Sequence, residues 1–128
     1  MVSKISEGVE ISVETFYQAE YSNPASNEFM FAYKIKINNY NNFSIQLMHR
    51  HWTIADSILE QRDVDGEGVV GVQPIIKPDD FFTYVSGCNL KTEIGKMSGY
   101  YLMQNLNTLE QFKVIIPAFN LIVPAKLN

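Results

Sequence analysis

"FMFAYKIKINNYNN", Phe29 to Asn42, places Phe29, Phe31, Tyr33, Ile35 and Ile37 at alternate positions, with Met30, Ala32, Lys34, Lys36 and Asn38 between them. An extended chain sends successive side chains to opposite faces, so this spacing predicts a strand with one apolar face. Asn38 to Asn42 is the turn that ends it.

The same period runs upstream through Val9, Ile11, Val13, Thr15 and Tyr17, and "YSNPASN" breaks it. Downstream, a third strand runs from Phe43 to about Ile54, followed by a shorter charged segment from Ile58 to Arg62. "FFTYV" lies between the turns "KPDD" and "SGCN"; "GYYLMQ" ends by Asn107, "QFKVII" stops at Pro117 and "AFNLIV" stops at Pro124. No stretch keeps helical i, i+3, i+4, i+7 spacing beyond about two turns. Short strands separated by Gly, Pro and Asn predict an all-β fold, an antiparallel β-sandwich of seven to eight strands. We read residues 1–128 as a single domain with its core at about 9–124, the first eight and last four residues being loose.

Hydrophobic residues make up 46% of the chain and charged residues 19%, values of a globular protein. The start, "MVSKISEGVE", has no apolar run of secretory length, and no later run reaches the ~20 apolar residues of a membrane-spanning helix. A lone cysteine, Cys88, forms no internal disulfide and fits a reducing compartment, which predicts a cytoplasmic protein. Ten basic against fourteen acidic residues, without a basic cluster, argue against nucleic-acid binding and for a protein or small-molecule partner.

"GEGVVG", Gly66 to Gly71, matches the G-x-G-x-x-G pattern of dinucleotide sites, which has meaning only between a buried strand and a helix. Here "EQRDVD" precedes it in place of an apolar strand, and Pro74 and Pro78 fall where the helix would run, each costing roughly 3 kcal/mol there. Two readings of Gly66, Gly68 and Gly71 stand. They allow positive φ or close backbone approach in a turn entering a strand, or their backbone amides form a nest that binds a phosphate-containing anion. "DVDGEG" fails as a calcium loop, because its twelfth position is Pro74 where a bidentate Glu is needed. Gly95-Lys96 lacks the rest of a P-loop.

"HRHW" sets His49 and His51 two residues apart, one strand face if the strand is regular, and makes them the weak metal candidates of the chain. The nearest acids in sequence are Asp56 and Glu60. Regular alternation puts Arg50 and Trp52 on the face opposite Ile45 and Leu47, so burying Trp52 requires a bulge near Met48 to Arg50. Trp52 then reads as core and Arg50 as the partner of a nearby acid. Cys88 has nothing local to lower its pKa, Ser86 lacks a nucleophile elbow, and no acid–base pair stands out, so we expect no enzyme and no cofactor.

Taken in order, "FAYKIKINN", "IQLMHRHWTI", "GEGVVGVQPII", "FTYVSG", "GKMSGYYLM" and "VIIPAFNLIVP" resemble the ApaG family from about Val9 to Pro124. The resemblance implies an immunoglobulin- or fibronectin type III-like sandwich and a small bacterial protein. It also implies kinship with domains fused in eukaryotic F-box and polymerase-delta-interacting proteins, where they look like protein-binding modules. It carries the label cobalt and magnesium efflux and a gene neighbour for diadenosine tetraphosphate hydrolysis, neither of which defines an activity. By position the family pattern falls on Gly66, Gly68 and Gly71, on Gln73-Pro74, on Ser86-Gly87 and Gly99, and on Arg50 and Trp52, the candidate interaction residues. His49 and His51 depart from it, and Val85 stands where a Thr is common. The expected role is a non-enzymatic domain that engages a protein through a sheet face or loops, with anion binding at Gly66 to Gly71 as the alternative and a homo-oligomer left open.

Overall fold

A computed structural model describes residues 1–57 and 60–124. Ile58, at the start of the charged segment, and the tail expected to be loose at 125–128 lie outside the described residues. Nine strands follow one another among the described residues: β1 (Val2–Ser6), β2 (Val9–Tyr17), β3 (Phe29–Asn39), β4 (Ile45–Asp56), β5 (Glu60–Glu67), β6 (Ile75–Ile76), β7 (Phe81–Leu90), β8 (Ile94–Asn105) and β9 (Gln111–Ile122). Only two short 3-10 turns, Ala19–Tyr21 and Pro24–Ser26, interrupt the pattern among the described residues. All pairings are antiparallel. One sheet has the order β1-β2-β3-β7, and the other β5-β4-β8-β9 with β6 also on β4, so the fold is the all-β sandwich that the alternation predicts.

The apolar positions of the opening stretch line the inside. Phe31, Tyr33, Ile35 and Ile37 of β3 are buried against Leu47, Trp52 and Ile54 of β4 and against Tyr101, Ile116 and Phe119 of the far strands. Trp52 meets Tyr33 of the opposite sheet at 5.4 Å and, within its own sheet, Phe119 at 5.9 Å and Tyr101 at 6.5 Å between centroids, all edge-on. The Tyr84 and Tyr101 hydroxyls hydrogen-bond to each other in the interior. Burial, the main cause in both, holds their pKa values above the ordinary phenol value.

Three local expectations are corrected. The first eight residues are not a loose arm, since β1 pairs along its length with β2. Glu7 and Gly8, both at positive φ, form the two-residue turn that joins them, a turn whose twist matches that of paired strands. Pro117 does not end a strand: β9 continues from Gln111 to Ile122, and the register shift between Met97 and Gly99 of β8 places two β9 residues, Pro117 and Ala118, against one partner. Proline is tolerated at such a bulge on an edge strand, where no ladder bond needs its missing N–H. The charged stretch after β4 is a full strand, β5, exposed along most of its length. No helix among the described residues is long and apolar enough to cross a membrane.

Candidate functional site

Met48 decides the geometry around the glycines. Leu47 pairs with Met103 and His49 with Leu102, so Met48 is one extra residue in β4 and makes the bulge that burying Trp52 requires. The insertion flips the phase of the strand: Leu47 and Trp52 both face the core, and His49 and His51 face out. It also frees the Met48 carbonyl, which accepts from the Gly68 N–H at 3.0 Å and from Gln73 Nε2 at 3.0 Å. The glycine turn is therefore tied to β4 at the bulge.

Further bonds fix the same segment. Arg50 Nη1 donates to the carbonyls of Glu67 at 3.0 Å and Gly68 at 2.9 Å, in place of the acid partner that the sequence suggests. Gly66 lies opposite Arg50 in the β4–β5 register, and a Cβ there would stand 2.7 Å from the guanidinium carbon. Glycine at 66 thus gives the arginine a flat seat. At Gly68, φ is +58° and a Cβ would run into the Val72 carbonyl. Gln46 Nε2 donates to the Gln73 carbonyl at 3.1 Å, and the Leu47 N–H to the Pro74 carbonyl at 3.1 Å.

Between these anchors Val69 and Val72 exchange N–H···O bonds of 2.8 and 3.0 Å around a two-residue tip, Val70-Gly71. Both tip residues have positive φ, +48° and +78°. Asn-Gly or Asp-Gly is the usual choice for this turn, because a β-branched side chain is strained there. Val69 is buried in the core, whereas Val70 is 63% exposed, Val72 50% and Ile75 58%. The turn is a rigid knuckle with three aliphatic side chains in water. Sequence reasoning singles out the glycines and passes over these side chains, though the signal is in the letters: "VVGV" is apolar where an exposed turn should be polar.

Trp52 stands behind the knuckle in the core, 3% exposed, and the half-buried Arg50 donates to the loop carbonyls. The carbonyls, not the amides, of Glu67 and Gly68 face the cation, while the amides of Gly68, Val69 and Val72 are taken by Met48, Val72 and Val69.

His49 and His51 do share the outer face, as the spacing predicts. Their acid is Asp65, directly opposite His51 on β5, rather than Asp56 or Glu60. Asp65 Oδ1 lies 2.6 Å from His51 Nδ1 and 3.7 Å from His49 Nε2. The His51 hydrogen bond, followed by the charges of both rings, holds the Asp65 carboxyl below its usual pKa. His51 also stacks on Tyr100 at 5.1 Å, and Lys113 Nζ sits 4.4 Å from the Tyr100 ring centre. Among the described residues no three acids, histidines or cysteines are arranged to hold a metal ion. Cys88 is buried, and its burial pushes the thiol up, away from the reactive thiolate.

Comparison with known proteins gives one consistent result. The model of the ApaG domain matches residues 19–105. Protein ApaG of Brucella anthropi is 43% identical over 124 residues, 97% of this chain and 95% of that protein, and Protein ApaG of Paramagnetospirillum magneticum is 40% identical over the same shares. The crystal structure of the ApaA protein from Bordetella pertussis superposes with a TM-score of 0.86 at 39% identity, covering 91% of this chain and 94% of that one.

Proposed function

Because the chain belongs to the ApaG domain family and carries an apolar knuckle on a rigid mount, we propose that it is a non-enzymatic protein-interaction domain that inserts Val70, Val72 and Ile75 into an apolar pocket of a partner. The observation that carries this reading is Val70 itself. A β-branched residue at φ +48° costs about 1–3 kcal/mol, and its side chain gains nothing from the core, being 63% exposed. Strain retained where it stabilises nothing inside the chain is a sign of use outside it. Arg50, Gly66, Gly68 and the Met48 bulge serve the interaction at one remove by keeping the tip from relaxing, and a tip ordered in advance loses little entropy on binding. The alternative reading, an anion on the backbone of Gly66 to Gly71, has less support, because the Met48 carbonyl of β4 occupies the amide of Gly68 and the turn's own carbonyls occupy those of Val69 and Val72.

Val70→Asn separates stability from binding. Asparagine accepts the left-handed conformation at little cost, so the variant unfolds at higher denaturant, by about 1 kcal/mol, while it no longer recovers the partner. The check is a photo-crosslinker at position 72, comparing adducts formed in cells by the parent and by Val70→Asn. Adducts unchanged by Val70→Asn would sink the proposal. Shifts at the Val70 and Gly71 amides on titration with pyrophosphate would move the case to the anion reading.

A further inference from the structure

Among the described residues the long strands β1, β7, β5 and β9 form the sheet edges, and three of these are covered or guarded. The β1 and β9 edges lie against each other, the Ile115 N–H donating to Ser6 Oγ at 2.9 Å. β5 carries Glu60, Asp63, Asp65 and Glu67 in eight residues, a density of charge that deters pairing with another strand. β7 differs. From Phe81 to Leu90 it holds no charged residue and no proline, and β3 is the only strand it pairs with among the described residues.

Which groups of β7 face outward follows from the ladder. The Asn39 N–H donates to the Asp80 carbonyl at 3.0 Å, and the β3–β7 register continues without a shift to Leu90. Alternation along an antiparallel pair then turns the N–H and C=O of Phe81, Thr83, Val85, Gly87 and Asn89 away from β3. Side-chain bonds at both ends agree. The Phe81 N–H is capped by its neighbour Asp80 Oδ1 at 2.8 Å, and the Asn89 carbonyl accepts from Arg62 Nη2 at 2.8 Å. Between the caps, Thr83, Val85 and Gly87 offer a bare ladder among the described residues. On its outer face Val85 is 56% exposed and Phe81 53%.

Gly87 is a second, independent sign. A Cβ there would meet only the Phe31 carbonyl at 3.5 Å and Met30 Sδ at 3.6 Å, ordinary contacts, so nothing inside the chain requires glycine. Glycine in the interior of a strand weakens it, and one of its uses there is to let another backbone approach closely.

We propose that β7 is a self-association edge, through which two copies of this chain join their four-stranded sheets into one antiparallel sheet about a two-fold axis at Val85. The choice of a second copy rests on charge. Antiparallel pairing centred on Val85 sets Thr83 opposite Gly87 and Phe81 opposite Asn89 of the other copy. The acidic cap of one copy, Asp80, then meets the basic cap of the other, Arg62, at both ends of the ladder, and no like charges face each other within it. Isologous pairing of this kind closes on itself and builds no fibre. The edge is short and the contact small, so the dimer is a weak one, with a Kd between about micromolar and about millimolar.

Sedimentation velocity over a concentration series spanning that range tests this. The chain is expected to shift from monomer to dimer. Val85→Lys, an exposed position that leaves the core intact, sets two ammonium groups together at the axis and holds the protein monomeric. Asp80→Arg alone and Arg62→Asp alone weaken the dimer, and mixing the two variants restores it, because each then finds its opposite. A wild-type chain that stays monomeric throughout, or a dimer indifferent to Val85→Lys, would overturn the assignment. Either result leaves the Val70 knuckle untouched, since it lies on the other sheet.

Discussion

Replacing Trp52 with alanine lowers the unfolding free energy by about 3–5 kcal/mol, a large share of the ~5–15 kcal/mol that holds a domain of this size together. The cost has two parts. Removing the indole forfeits the transfer of a large apolar group from water, and it leaves a void that the surrounding rings cannot fill. Tyr33, Tyr101 and Phe119 all approach Trp52 edge-on from other strands, each fixed by its own backbone, so collapse into the hole is limited. Trp52→Phe keeps most of the contact and costs about 1–2 kcal/mol. Denaturant unfolding followed by circular dichroism measures both, because the single Trp of the chain is the residue removed. The effect extends to the glycine turn. Arg50 shares the phase that the Met48 bulge gives to Trp52, so its bonds to the Glu67 and Gly68 carbonyls depend on the same strand position, and amide exchange at Gly68 accelerates in Trp52→Ala. A Trp52→Ala protein as stable as its parent would mean that the aromatic cluster is packing by coincidence.

The strands that can be read from the sequence are those with one face in the core. Phe31, Tyr33, Ile35 and Ile37 alternate because β3 is buried on one side only, and the need to bury Trp52 predicts the bulge that Met48 makes. β1 and β5 are exposed on nearly every residue, so burial leaves no period in them. Their places come from pairing, through the Glu7-Gly8 turn for one and the long register with β4 for the other. Missing β5 as a strand has a chemical consequence. Once it is paired, Asp65 falls opposite His51, an acid invisible to any search that looks only along the chain. Pro117 misleads for a related reason: proline breaks a ladder only where its N–H is required, and a bulge on an edge does not require it. At the candidate site the glycines are legible as a motif, but their purpose is not. Gly66 is small because a guanidinium from β4 lies over it, a contact set by tertiary pairing alone.

Asp56→Ala should cost about 3 kcal/mol or more, although the residue touches no candidate site. Its carboxylate is buried at the end of β4 and gathers the turn between β7 and β8: Oδ2 accepts from the Lys91 N–H at 2.6 Å, and Oδ1 from the Thr92 N–H at 3.1 Å and from the Thr92 hydroxyl. Alanine removes every one of these acceptors. Two part-buried backbone amides lose a charged acceptor, and an unmet donor costs more than a made bond gains. Asp56→Asn tests the chemistry more finely, because it keeps the shape and one oxygen. The oxygen can serve Thr92, but the amide nitrogen then faces the Lys91 N–H, donor against donor, so about half of the loss remains. Hydrogen exchange at Lys91 and Thr92 discriminates this from general loosening: in Asp56→Asn the Lys91 amide opens far more readily than that of Thr92, whereas in Asp56→Ala both do. Equal protection of both amides in Asp56→Asn and the parent would show that the turn holds its own shape and that the carboxylate only fills space.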